Sequence, residues 1–218
     1  MNTEEYTRLY KDSIQLVVDI ETMPNNAVLD ILPEPKVAAN LKDPEKIAAA
    51  KAEGREKQVE KMALSPLTGT IACIGLHSEA GSATLFGGDN EKAALDMFWQ
   101  IAQYKQLITF NGKSFDIPFI FKRGIILGCC WATIPAMKEY TERFKSAKHI
   151  DLMAEFCNYG EYESLDTLGR FILGENKTEF DFREIPELML TPEGQEKISV
   201  YCQQDCNLTW KLAKRMGF

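Results

Sequence analysis

The chain has 218 residues, with 25 Lys and Arg against 32 Asp and Glu, a formal net charge of −7, 45% hydrophobic residues and 26% charged ones. That suffices for one compact domain with a core and is the balance of an ordinary soluble globular protein. It excludes a protein that grips nucleic acid by bulk positive charge alone, though not a nuclease whose carboxylates hold divalent cations, because bound ions offset the formal charge.

Ser13–Ile20 is short, β-branched and bounded by polar residues, and predicts a strand. From Pro24 to about Pro66 the texture changes to Lys, Glu and Ala with few large apolar side chains, which predicts a charged helical insertion on a core fold. Within it Asp43-Pro44-Glu45 is a helix start: Asp caps, Pro fits the first turn and Glu suits the positive helix end. The helix that follows is expected to be broken or weakened at Gly54. Thr70–His77 and Ala83–Phe86 predict two further strands joined by a turn around Gly81. Asn90–Tyr104 places Ala94, Met97, Phe98 and Ile101 at helical spacing.

Leu107–Phe110 predicts a strand running into Asn111-Gly112, a turn pair. A helix is expected over Ser114–Arg123 with Ser114 as its cap, and a short strand over Lys148–Met153. Ser164 caps a helix expected to run through Leu173 and end at Gly174. Thr191-Pro192-Glu193 opens a last helix that runs to about Arg215. Three early strands followed by strands alternating with helices predict an α/β fold, a mixed sheet flanked by helices, in a single domain over 1–218 with the insertion at about 24–66.

The six cysteines form no CxxC pair with a matching His or Cys pair, so zinc is not expected; they read as reduced thiols of a cytoplasmic protein. The polar, acidic start MNTEEYTRLY is no signal peptide. The longest weakly polar run, near Gly124–Met137, is too short to cross a bilayer, so no membrane association is expected.

Three constellations carry chemistry. Asp19 and Glu21 lie two apart at the end of the first strand, on one face beside Val17. They repel unless a cation sits between them, although a polar strand end entering a loop has the same look. Asp116 falls in the first turn of a helix, where a carboxylate can also simply complement the helix dipole. Tyr201 and Asp205 lie four apart on a helix face continued by Ile198, Leu208 and Leu212, and so read as polar groups on a buried side. A buried carboxylate needs a partner or a metal; a Tyr–Asp hydrogen bond within the helix is the plain alternative. Asp151, at a strand end, and Asp166, early in a helix, have adequate structural explanations and are left out of the metal site. The lysines and arginines of the insertion, from Lys36 to Lys61, read as a solvated face, with substrate grip as the alternative.

D-x-E-T on a first strand, N-x-x-x-F-D after a later strand and Y-x-x-x-D on a final helix resemble, in order, the three motifs of DEDD-superfamily 3′→5′ exonucleases. The resemblance is to the exonuclease domain of family-B DNA polymerases and its stand-alone relatives. Ser164-Leu165-Asp166 with Leu168, Leu173-Gly174, Lys177 and His149-Ile150-Asp151-Leu152 are similar to those relatives too. The resemblance implies a ribonuclease H-like fold and a two-metal mechanism, with Asp19, Glu21, Asp116 and Asp205 binding two divalent cations, Mg²⁺ or Mn²⁺. Hard oxygen ligands suit those ions. It also implies that Tyr201 orients the attacking water, since a neutral phenol is a poor general base. Val200 stands where relatives of the other subclass carry histidine, which implies the tyrosine subclass. Thr22 and Met23 are implied to touch the terminal nucleotide, Phe115 is expected to stack on a base and Asn111 to hydrogen-bond near the scissile end, though Met23 and Phe115 serve equally well as core. The expected partners are single-stranded DNA or frayed 3′ ends, with RNA as an alternative substrate and a polymerase or replication partner in trans. A catalytically silent nucleic-acid-binding subunit predicts a replaced ligand carboxylate, and all four are present.

Overall fold

The computed structural model of the chain describes residues 3–142, 147–158 and 160–218. Helix α1 (Thr3–Leu9) precedes strand β1 (Gln15–Pro24). The polar opening sequence gives little sign of that helix; its anchors are two tyrosines. Tyr6 donates to the Thr84 carbonyl at 2.9 Å, and fully buried Tyr10 donates to the Leu76 carbonyl at 3.3 Å. A 3-10 turn (Asn26–Ile31) leads to α2 (Pro44–Met62), which Asp43 caps through the N–H groups of Glu45 and Lys46.

Strands β2 (Gly69–Ser78) and β3 (Gly81–Phe86) follow, then α3 (Glu91–Ala102), β4 (Gln106–Thr109), α4 (Asp116–Ile126) and α5 (Ile134–Thr141). Next come β5 (His149–Asp151), α6 (Leu152–Phe156) and α7 (Leu165–Leu168), the last continued by a π turn over Gly169–Leu173. A 3-10 turn (Phe182–Glu184), α8 (Ile185–Leu188) and α9 (Pro192–Arg215) complete the chain. Among the described residues no helix is long and apolar enough to cross a membrane.

The five strands form one sheet in the order β3-β2-β1-β4-β5. β2 pairs antiparallel with both β1 and β3, whereas β4 pairs parallel to β1 and β5 parallel to β4. This is the expected mixed sheet flanked by helices. The period of two along β1 divides its side chains: Leu16, Val18 and Ile20 enter one core with Leu95, Phe98, Ile117 and Phe121 of α3 and α4. Val17 enters a second core with Leu208, Leu212 and Ala213 of α9. Asp19 and Glu21 share the parity of Val17, so β1 delivers them to the α9 face.

Two expectations are corrected. α2 runs unbroken through Gly54, and the glycine serves packing: a Cβ there would come 2.7 Å from Pro35 Cβ. The glycine admits the preceding segment against the helix and does not interrupt it. Ser114 does not cap α4. Phe115 occupies that position without a side-chain bond, and the Ser114 N–H donates to the Asn111 carbonyl inside a turn. That turn is held from outside: Asp151 accepts the N–H groups of Asn111 and Lys113 at 2.8 and 2.9 Å. With its turn so fixed, Asn111 adopts a positive φ of 62°, which Asn tolerates better than most residues.

Candidate active site

One cleft of about 890 Å³ gathers Asp19, Glu21, Asp116 and Asp205 along its lining. Three elements supply them. β1 brings Asp19 and Glu21, and α4 brings Asp116 as its first residue. There Asp116 Oδ1 accepts the Ile20 N–H at 3.0 Å, so the helix start is tied to the strand. α9 brings Asp205, whose Oδ2 lies 2.7 Å from Lys177 Nζ. Lys177 is in turn held by Asp166, which accepts its backbone N–H at 2.9 Å. The position left out of the metal site thus supports the site's cation.

Burial pushes the Asp19 carboxyl well above the usual carboxylate range, and Cys202, Glu21, Asp116 and Asp205 push it further. Glu21 is raised for the same leading reason, with Lys177 opposing. Asp116 is pushed up to about 7 by burial, although its own N–H and that of Ile20 pull it back. Asp205 is raised by burial against the attraction of Lys177 and the Tyr201 phenol. Burial disfavours the Lys177 ammonium, but Asp205, Asp19 and Glu21 together outweigh it and the lysine pKa rises. Four acids line the cleft, and Lys177, paired with Asp205 and opposing the rise of Glu21, is a single cation among them. The carboxylates therefore fit divalent cations, which would relieve both the desolvation and the mutual repulsion.

Tyr201 lies behind this lining, 2% exposed, stacked on Phe180 at 4.5 Å with Lys177 Nζ 5.2 Å from its ring centroid. Its pKa is raised, first by burial and then by Asp205 and Glu21, so the phenol keeps its proton. Thr22, Asn111 and Phe115 line the cleft, as do Phe110 and Ile20. Met23 does not: it packs on a third core made by Ala72, Cys73, Ile185, Ile198 and Cys202.

The far wall comes from the insertion, for which substrate grip was only the alternative expectation and only through its basic residues, and from the segment leading into α8, which was given no role. The end of α2 presents Val59, Glu60, Ala63 and Leu64, facing Phe182, Arg183 and Pro186. Val59 and Ala63, four apart on a charged helix, are the one signal that could have marked that face. Cys202 was also missed. Its thiol donates to Asp19 Oδ2 at 3.6 Å, and its place three residues before Asp205 on one helix face was the available sign.

Residues 70–217 match the family described as "Predicted 3'-5' exonuclease related to the exonuclease domain of PolB". That segment holds Asp116, Tyr201 and Asp205, whereas Asp19 and Glu21 precede it. The chain is 29% identical to a DNA polymerase of Thermococcus aggregans over 143 residues, a match covering 57% of this chain and 8% of the polymerase. It is 32% identical to DNA polymerase 1 of Sulfolobus acidocaldarius over 138 residues, covering 57% of this chain and 15% of the polymerase. Its fold is similar to that of the family B DNA polymerase from Pyrobaculum calidifontis, with TM-score 0.58 and 12% identity over 93% of this chain and 24% of that one. The chain thus spans less than a fifth of the length of these two curated relatives. A match over that share of the residues, on a ribonuclease H-like mixed sheet that carries the site, makes the chain a member of the family of predicted 3′–5′ exonucleases related to the exonuclease domain of PolB.

Proposed function

We propose that the protein hydrolyses phosphodiester bonds from the 3′ end of single-stranded DNA or frayed duplex ends and releases nucleoside 5′-monophosphates. The observation that carries this reading is that four carboxylates from β1, α4 and α9 line one cleft with apolar walls. Asp19, Glu21, Asp116 and Asp205 would hold two Mg²⁺ or Mn²⁺ ions. When bound, such ions supply a water of lowered pKa and charge neutralisation at the scissile phosphate.

The chain's own groups do the rest. Tyr201, protonated and clamped by Phe180, orients the attacking water by a hydrogen bond and does not act as a base. Lys177 favours the ionised form of Asp205 against the pull of burial and adds a positive charge where the phosphate arrives. Phe115, Phe182 and Leu64 offer apolar faces to unstacked bases, which suits a single strand better than a duplex. Thr22 and Asn111 offer hydrogen bonds to the terminal nucleotide. A polymerase acting in trans is the protein partner that fits such a trimming activity.

The test is a time course on 5′-labelled single-stranded DNA and RNA oligonucleotides with Mg²⁺, with Mn²⁺ and with EDTA, beside Asp19→Ala. The expected result is a ladder shortening from the 3′ end of DNA, absent in EDTA and in the variant. Faster loss of RNA would move the substrate to RNA. No cleavage of either by the folded protein would replace the enzyme by a silent binding subunit.

A further inference from the structure

The donor set around Asp19 contains a sulfur as well as oxygens. Cys202 is wholly buried, its Sγ lies 3.6 Å from Asp19 Oδ2, and with a Glu21 oxygen the three donors fall within 4.8 Å of one another. Gly75, the β2 residue paired with Asp19, makes room for that sulfur: a Cβ built there would come 2.5 Å from Cys202 Sγ. A tetrahedral zinc ion with a Zn–S bond of about 2.3 Å and a Zn–O bond of about 2.1 Å sets its sulfur and oxygen ligands about 3.6 Å apart. The Cys202–Asp19 separation matches that edge. Magnesium, which requires near-octahedral oxygen, makes no use of the sulfur.

We infer that Cys202 turns the Asp19–Glu21 half of the site into a mixed oxygen and sulfur site for a thiophilic divalent ion, zinc above all. The inference rests on the proposed reading of Asp19 and Glu21 as metal ligands. Asp19, Glu21 and the Cys202 thiolate supply three ligands, and the thiol proton leaves to solvent on binding. Zinc stands well above manganese in the affinity order of divalent ions, and the sulfur adds to that preference. Zinc therefore displaces Mg²⁺ here, and excess Mg²⁺ does not readily recover the site.

The test is cadmium, the spectroscopic stand-in for zinc, titrated into the full chain while the ultraviolet thiolate-to-cadmium charge-transfer band is followed. Mg²⁺ binding is measured separately by calorimetry. The expected result is a band from one tight ion, lost in both Cys202→Ser and Asp19→Asn, retained in Cys206→Ser and in Cys130→Ser, while Cys202→Ser still binds Mg²⁺. Far-ultraviolet circular dichroism checks each variant, and Asp19→Asn carries the test should Cys202→Ser fail to fold. A band of full size in Cys202→Ser or in Asp19→Asn, or cadmium bound without a band beside normal Mg²⁺ binding, overturns the sulfur site alone. Failure of the wild type to bind either ion overturns the metal-site reading with it.

Discussion

The ammonium of Lys177 lies 2.7 Å from a carboxylate oxygen of Asp205 and 5.2 Å from the Tyr201 ring centroid, so one side chain joins two motif residues of α9. Lys177 is 30% exposed and Asp205 only 4%, so the lysine is screened by solvent far more than the acid. Replacing Lys177 by Met leaves a buried carboxylate without its cation. Breaking a fully buried pair costs about 3–5 kcal/mol. The exposure of Lys177 brings the expected loss down to about 1–3 kcal/mol. In EDTA, the Lys177→Met melting temperature should fall, and saturating Mn²⁺ should restore more of it than it adds to the wild type. An unchanged melting temperature in EDTA would show that the pair contributes nothing.

Asp116 has two tasks that substitutions can separate. Its Oδ1 accepts the Ile20 N–H, and its charge faces the cleft. Asp116→Asn keeps a carbonyl oxygen for Ile20 and should retain stability while losing activity by more than the roughly 10–100-fold that follows loss of an outer-sphere partner. Asp116→Ala should lose the activity and also about 1–3 kcal/mol, because a buried N–H is left unpaired. Urea melts and turnover of both variants check the separation. Equal stability of the two would deny the tie to β1.

Metal-free stability should fall as pH rises through neutrality. Asp116 titrates at about 7 in the fold and near 3.9 in the unfolded chain, so the folded state holds an extra proton between those values. Its contribution is fully present below about pH 4 and is lost as pH rises through about 7; Asp19 and Glu21 act in the same direction. His149 opposes them on the acid side. Buried and lowered to about 4, it contributes stability that is present above its unfolded value near 6.5 and is lost as pH falls through 4. The clean window is therefore about pH 6.5–8, where melting in EDTA should drop and melting in Mg²⁺ should hold or rise, since the ion binds the ionised carboxylates. Parallel curves with and without Mg²⁺ would remove the cation from the site.

Far from the cleft, Arg123 on α4 donates from Nε and Nη2 to the two oxygens of Glu91 at 2.8 and 2.6 Å, and from Nη1 to the Pro66 carbonyl at 2.9 Å. Glu91 also accepts the Ile71 N–H at 2.9 Å, and both side chains are 5% exposed. Either Arg123→Met or Glu91→Gln should cost about 3–5 kcal/mol in urea unfolding, because each strands a buried partner. The double replacement should cost less than the sum of the two. Strict additivity would show that the two groups act independently.

Tyr201→Phe keeps the ring in its stack with Phe180 and removes only the oxygen. Turnover should fall about 100-fold, at the lower end of what a positioned proton-bearing group contributes, with KM and melting temperature near wild type. A wild-type rate would detach the phenol from the reacting water.

Where a periodicity decides, the sequence was readable. A period of two put Asp19 and Glu21 on the face of Val17, and a spacing of four put Tyr201 and Asp205 on the buried side of α9. Thr191, Asp43 and Ser164 each cap the helix their neighbours announce. What escaped depends on partners distant in sequence. Gly54 looked like a breaker because Pro35, whose contact explains it, could not be placed. Ser114 looked like a cap because the acceptor for its turn, Asp151, comes from another strand. Cys202 reads as one thiol among six until Gly75 brings its sulfur beside Asp19. The α2 wall was hidden for the same reason: a lysine- and glutamate-rich helix announces solvent, and only the folded chain shows its last turn closing the cleft.

Asp19 and Cys202 touch across 183 positions of sequence. A chain still being synthesised that has reached the end of α8 can pair β1 with β2, β3, β4 and β5, yet it lacks Tyr201, Cys202 and Asp205. The group of Asp19, Glu21, Asp116 and Asp205 cannot come together before α9 is made and docked, and contacts of such long sequence separation cost the most loop-closure entropy. The last helix to leave the ribosome is thus the one that completes the cleft, and until it docks the carboxylates of β1 face no partner from α9.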